Sequence, residues 1–450
     1  MDRKSSAERR TRPHRQKKRQ FHGNRYTAQE DTNFTSASAA KLKKSNDEEV
    51  IIENNYGYCV LEFFTVFSTI SSLVLCAQWK KEIKFSRTSF RGLGFKISLQ
   101  CGCDSVQYIP SCPFVDKSFE VNRRIIFAMR LLGVGREGIN IFCSIMDICQ
   151  GLSISTYYAC IENIHLAACT VYNLIISKAV NEEKELISAS DPNACSTEFT
   201  VSGDGTWKKR GFNSLFGVTT LVAKNCKKVV DTVVKSSFCQ GCNVWKNKKY
   251  SDIAAYNDWY ESHEELCTIN HKGSAGKMEV DAIVEMFCRS NENHGVKYAK
   301  YIGDGDTKTF KGILDMDPYD GNPFVQKKTR CLGSETQNNN ESLNSLIWTF
   351  APKHIHSGLH IIEIATFISV CIFNEGFIPI LKMMELMGIK IGPEAHSFAG
   401  KRDNARIDRS ETRASIASKE ARTARYEERN AENSFFEVEE GPMYEAGMAD

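Results

Sequence analysis

Between residues 197 and 350 the hydrophobic pattern changes period in a fixed order, and that order constrains the fold more than any other feature of the chain. Residues 197–203 alternate towards Asp204-Gly205. Residues 212–223 (FNSLFGVTTLVA) and 229–238 read as two further strands, with 224–228 as the turn between them. Three strands at this spacing suit an antiparallel meander. Residues 277–289 then repeat at helical period, with Val280, Ile283, Val284 and Phe287 on one face. Residues 296–302 read as a strand ending at Gly303-Asp304-Gly305-Asp306. Residues 341–350 are helical, with Leu343, Leu346, Ile347 and Phe350 on one face, and Pro352 ends the helix.

Strand, strand, strand, helix, strand, helix is the order of an RNase H-like fold, an α/β core with a mixed sheet and flanking helices. In that order Asp204 ends the first strand, Asp304 ends the later central one, and Glu341 sits in the first turn of the next helix. Three converging carboxylates repel one another unless cations lie between them. Two Mg²⁺ ions roughly 3.5–4 Å apart satisfy them, and such a pair activates water or a 3′-hydroxyl against a phosphodiester. A lone Asp-Gly step is ordinary turn chemistry; position at two strand ends in the right order is what distinguishes these. The glycines beside Asp204 and around Asp304 predict a place where a DNA backbone comes close.

The rest of the chain reads as flanking modules. Residues 1–20 hold nine Lys/Arg against Asp2 and Glu8. Such a block stays solvated and suits nuclear import or phosphate binding, so residues 1–50 read as a disordered basic arm. Net charge over the whole chain is only +3 and adds little. No apolar signal region stands near the N-terminus, which argues against secretion. The apolar run 59–76 (CVLEFFTVFSTISSLVLC) contains Glu62 and hydroxyl residues and reads as a buried core element rather than a membrane span. Residues 51–117 form a cysteine-bearing module. Residues 118–195 read as helices at 121–132, with Ile125, Met129 and Leu132 on one face, then at 136–146, and at 156–164 capped by Ser153 or Ser155. Three short helices around Gly133-Val134-Gly135 suit either a DNA-binding helix-turn-helix or plain helical packing. The core then spans 196–390, and 391–450 is a charged helical or disordered tail.

Seventeen cysteines without a signal peptide point to thiols and zinc ligands rather than disulfides. Cys239, Cys242, Cys267 and His271 give Cys-x2-Cys-x24-Cys-x3-His within an insert at 239–271, with His263 the competing fourth ligand. Cys267 and His271, one helical turn apart, would share a face. Cys76, Cys101, Cys103 and Cys112 form a poorer set, because Cys76 stands where Cys-x-x-Cys would supply two ligands.

Four stretches in order carry a resemblance: 202–211 (SGDGTWKKRG), 270–279 (NHKGSAGKME), 301–307 (YIGDGDT) and 336–344 (TQNNNESLN) followed by Trp348. Together they resemble the Mutator-like transposase domain of animal DNA transposons, over roughly residues 50–390. The resemblance implies Asp204, Asp304 and Glu341 as an acidic triad, with Asp306 the alternative second carboxylate. It also implies Mg²⁺ or Mn²⁺ dependence, cut-and-paste transposition on double-stranded transposon ends, self-association, a nuclear setting and no membrane partner. The family carries a long helical insertion with a Cys-x-x-His motif between its second Asp and its Glu. Here Glu341 follows Asp304 by 37 positions, and Cys331 is followed by Ser334 where a histidine would stand. That departure predicts a degenerate transposase: a core that folds but positions DNA poorly. The alternative is a non-catalytic, transposon-derived DNA-binding protein.

Overall fold

The computed structural model describes residues 37–42, 50–102, 106–116, 118–209, 214–303, 307–319, 326–328, 338–415, 426–427 and 430–431. Most of the expected basic arm, together with Cys103, Asp304, Asp306, Cys331 and Ser334, lies outside them.

The described chain begins with α1 (Ala37–Leu42) and α2 (Phe63–Leu73). A three-stranded antiparallel sheet follows, β1 (Lys84–Arg91), β2 (Gly94–Gln100) and β3 (Gln107–Pro110), then the short pair β4 (Phe114–Val115) and β5 (Ser118–Phe119). Glu62 caps α2, its carboxylate accepting from the Phe64 and Thr65 amides. The expectation of a buried core element at 59–76 is corrected here. Only Phe63 of α2 is buried, and Phe64 and Leu73 face outward. Glu62 starts the helix instead of interrupting it, which leaves too few turns to bury both sides.

Next come α3 (Glu120–Leu131), α4 (Arg136–Ile145) and α5 (Ile154–Ser190). Ser153 caps α5 by accepting from the Thr156 amide at 3.2 Å. The third helix was expected to be short, yet it runs for 37 residues. No Gly or Pro occurs between its ends, and Ile161, Ile164, Ala168, Val171, Ile175, Ala179 and Val180 continue one buried stripe. The stripe packs on the main sheet and later helices, so α5 is a long core strut rather than a short helix. The buried face of α3 is also displaced from the expected one: Asn122, Ile126, Phe127 and Arg130 are buried, whereas Leu132 is exposed.

The main sheet is built from β6 (Glu198–Trp207), β7 (Phe216–Ala223) and β8 (Val229–Ser236). The intervening segment holds α6 (Gln240–Trp245), α7 (Lys248–Ser251), α8 (Ile253–His263) and a 3₁₀ turn at Glu264–Leu266. Then come α9 (Ala275–His294), β9 (Lys297–Ile302), α10 (Thr307–Met316), β10 (Gln326–Lys328), α11 (Asn338–Phe350), α12 (Leu359–Glu375), α13 (Ile378–Leu386) and α14 (Pro393–Ser415). Strand order is β10-β9-β6-β7-β8. β6, β7 and β8 pair antiparallel, while β9 lies parallel to β6 and β10 parallel to β9. The result is a mixed sheet with helices on both faces.

Strand alternation decides which side chain meets which helix. Gly205 and Trp207 face α9, where the Trp207 indole donates to the Ala275 carbonyl at 2.9 Å. Ser202, Asp204 and Thr206 face α11. Thr232, two strands across from Asp204 through Thr220, pairs with the Tyr172 hydroxyl of α5 on that same side. Every residue of β7 and β8 is buried, because both faces are covered. Lys228 at the start of β8 is buried between Glu182 of α5 and Glu375 of α12, which fastens those two helices to the sheet.

Candidate functional site

Asp204 lies in the central strand with β9 on one side and β7 on the other. On the face it shares with α11, three side chains of the helix meet three of the strand. Asn340 donates to the Ser202 hydroxyl at 3.1 Å, Asn344 to Asp204 Oδ2 at 2.7 Å, and the Trp348 indole to the Thr206 hydroxyl at 2.8 Å. The register has a simple cause. Four helical residues rise about 6 Å and two strand residues about 6.6 Å, so an i, i+4, i+8 row lies along an i, i+2, i+4 row. Sequence reading assigned no role to these asparagines. Their spacing against Ser202, Asp204 and Thr206 is the signal that reveals them. Glu341 is exposed in the first turn of α11, three residues before Asn344 and so its neighbour on the helix surface.

Buried acceptors lie on the sheet face that carries Asp204. The Oδ1 atoms of Asn340 and Asn344 and the hydroxyl of Thr220, directly across from Asp204 in β7, are buried without a hydrogen-bond partner. Such atoms cost about 1–3 kcal/mol each when left unsatisfied. Amide, hydroxyl and carboxylate oxygens are also the donors a hard divalent cation takes. The residues here therefore fit Mg²⁺ or Mn²⁺.

The glycines do something other than expected. A side chain at Gly203 would strike the Tyr301 ring at 2.7 Å, and one at Gly205 would strike the Glu279 carboxylate at 2.8 Å. They admit the protein's own side chains on the face opposite Asp204, rather than clearing a path for DNA.

Lys208 follows on the Asp204 face, 7% exposed, with its Nζ unpartnered. Burial, and then the charges of Arg130 and Lys209, push its ammonium down to about 8. Its pKa in the unfolded chain is about 10.4. The charged form is thus disfavoured on folding, and the cost is fully present below pH ~8 and fades as pH rises from about 8 to about 10.4. Lys208→Met is expected to stabilise the fold by up to about 3 kcal/mol at pH 7, a gain that disappears above pH ~10.4. Thermal melts at pH 7 and pH 10 check this. An equal shift at both would mean that the charge is not the cause.

The second cluster lies in the segment after β8. Cys239, Cys242, His263 and Cys267 bring their ligand atoms within 4.8 Å of one another. The Cys239 and Cys242 sulfurs lie 3.3 and 3.4 Å from His263 Nε2, and the Cys242 and Cys267 sulfurs are 3.6 Å apart. A tetrahedral Zn²⁺ with bonds of about 2.0–2.3 Å needs ligand atoms roughly 3.3–3.8 Å apart, so this set can hold zinc. Burial raises the Cys239 thiol, but the Cys242, Thr268 and Gly241 amides and the Thr268 hydroxyl outweigh it and bring it down to about 6. Burial and then the neighbouring Cys267 and Cys239 push Cys242 up to about 12. Gly241 leaves room for the imidazole, since a Cβ there would meet the His263 ring at 2.7 Å. That ring stacks on Trp259 at 4.4 Å, and Trp259 stacks on Trp245 at 4.9 Å.

His271, the expected fourth ligand, stands elsewhere. The chain from Cys267 to Ser274 is not helical, so the two residues share no helical face. The His271 ring lies 3.3 Å from Asp281 through Nδ1 and 3.3 Å from the Ser274 carbonyl through Nε2, at the start of α9. His263, the competing candidate, takes its place. Among the described residues, no group of three or more metal-ligating side chains includes Cys76, Cys101 or Cys112.

No curated protein and no solved structure matches the chain. A profile described as Mutator-like transposase matches residues 57–346, a span that takes in Asp204, the Cys/His cluster, Glu341 and Asn344. Since that is well over half of its length, the chain belongs to the Mutator-like transposase family.

Proposed function

We propose that the chain is a DDE-type, metal-dependent DNA transposase core with an RNase H-like fold. The carrying observation is Asp204 in the central strand of the mixed sheet, tied by Asn344 to the helix whose first turn bears Glu341. The strand order, with a three-strand meander flanked by two strands parallel to its first, supports the fold reading. Asp204 stands two residues beyond Ser202, and Asp304 two residues beyond Ile302, and Ser202 and Ile302 are register partners. Two residues reach at most about 7 Å, so the first two carboxylates can share one cation site. Asp304, with Asp306 as its alternative, and Glu341 would complete it.

Bound Mg²⁺ or Mn²⁺ would supply charge neutralisation and an acidified water. Asp204 orients through Asn344, and α11 fixes Glu341 relative to it. In the reaction, water or a 3′-hydroxyl adds to phosphorus as the P–O3′ bond breaks, and the departing oxygen takes up a proton. Zn²⁺ at Cys239, Cys242, His263 and Cys267 would be structural. The substrate is double-stranded DNA at transposon ends, engaged in the nucleus by self-associated chains.

The test is nicking and strand transfer on duplex DNA carrying the flanking inverted repeats. We expect Mg²⁺-dependent nicking that Asp204→Ala reduces at least a thousandfold, on the scale of losing a group that positions the reacting phosphate. Nicking insensitive to Asp204→Ala would overturn this reading. The interval of 37 positions between Asp304 and Glu341 favours a second reading, DNA binding without transfer. Salt-dependent binding with no cleavage would support it. Transfer that appears only when a relative's insertion is restored after Val325 would trace the defect to that interval.

A further inference from the structure

We propose that Asn344 is a metal-binding residue of this site, donating to Asp204 through its amide nitrogen and offering its carbonyl oxygen to the same divalent cation. The proposal rests on the metal-dependent reading above. Three observations carry it. The Asn344 nitrogen donates to Asp204 Oδ2 at 2.7 Å, which brings the amide against the carboxylate. Its Oδ1 is buried and has no hydrogen-bond partner. Two further unpartnered oxygens lie on the same face: that of Asn340, whose nitrogen donates to Ser202, and the Thr220 hydroxyl across the strand pair from Asp204.

A residue serving only to anchor α11 would need the donor half of the amide alone. Serine or threonine would satisfy that need without leaving a buried carbonyl unsatisfied. A buried carbonyl oxygen with no donor is unfavourable in itself. A cation would satisfy it, and amide carbonyls are ordinary oxygen ligands of hard cations. The helix that carries Glu341 then reaches the metal from two positions one turn apart, 341 and 344, and the cation joins α11 to the central strand.

The experiment is titration calorimetry with Mn²⁺ on the full chain, loaded with zinc beforehand so that the sulfur site is occupied. Mn²⁺ prefers the oxygen site. Wild type, Asn344→Ala, Asn344→Asp and Asp204→Asn are compared, with thermal melts to verify folding. Asn344→Ala is expected to weaken Mn²⁺ binding about 10–100-fold. Asn344→Asp keeps an oxygen ligand and adds charge, so it should bind at least as tightly as wild type, although it lacks the donor to Asp204. Unchanged affinity in Asn344→Ala, or weaker binding in Asn344→Asp than in Asn344→Ala, would overturn the proposal. Wild-type Mn²⁺ affinity in Asp204→Asn would overturn the metal reading of the whole site instead, so the two failures are distinguishable.

Discussion

Cys239→Ser is expected to reduce bound zinc from about one ion per chain to nearly none, and to unfold residues 240–266 while the main sheet stays folded. The reason is the poverty of that segment's own core. None of α6, α7 and α8 contains a buried residue, and Val244, Tyr250, Ile253 and Leu266 all face outward. What remains is the stack of Trp245, Trp259 and His263, with the Lys248 ammonium 4.2 Å over Trp245. Aromatic pairs contribute about 0.5–1.5 kcal/mol each, too little to order some 27 residues. A structural zinc contributes roughly 10–16 kcal/mol in small domains. Hydrogen exchange over 240–266 and the near-ultraviolet signal of the stacked tryptophans would report the loss. His271→Ala, by contrast, should leave zinc content at wild type. A zinc content that falls with His271→Ala but not with His263→Ala would reverse the ligand assignment.

The choice between those histidines marks where sequence reading stopped. Both stand four residues from Cys267, one before and one after, and spacing alone treats them alike. The deciding fact is that the chain before Cys267 is helical through His263, while the chain after it, with Asn270 and Gly273, is not helical. The start of α5 was legible from its Ser153 cap, but its length depended on a buried stripe that continues without a breaker up to Ser190. The order of strands and helices in the main sheet was legible because each element announces its period locally. Asp204 was legible because it belongs to such an element, although the strand was expected to end there and instead runs on to Trp207. The role of Gly205 was not, since the side chain that needs the space, Glu279, lies 74 positions away on a helix across the sheet. Long-range complementarity of this kind leaves no local trace.

The row from Asn340 to Trp348 is the exception, because its spacing can be read from either partner once the facing strand is known, and it supports the second large effect. Trp348→Ala is expected to cost about 3 kcal/mol of stability, the lower range for removing a large aromatic from a core, and to weaken Mn²⁺ binding together with it. The indole is half-buried between β6 and the Lys353 ammonium, which lies 5.1 Å from its ring, and it anchors the last turn of α11 to Thr206. Thr206 is itself buried, so losing the donor strands its hydroxyl as well. Trp348→Phe separates the two contributions. It keeps most of the ring and removes only the hydrogen bond, which should cost about 1 kcal/mol and leave Asn344 and Glu341 in register. Metal affinity in Trp348→Phe should therefore stay within about threefold of wild type, since 1.4 kcal/mol is tenfold in a binding constant and little of this loss falls on the site. Calorimetric melts and Mn²⁺ titrations of the two variants decide the matter. If Trp348→Ala melts and binds as wild type does, α11 is held by its apolar face alone, through Leu343 and Ile347, and the polar row is a consequence of docking rather than its cause.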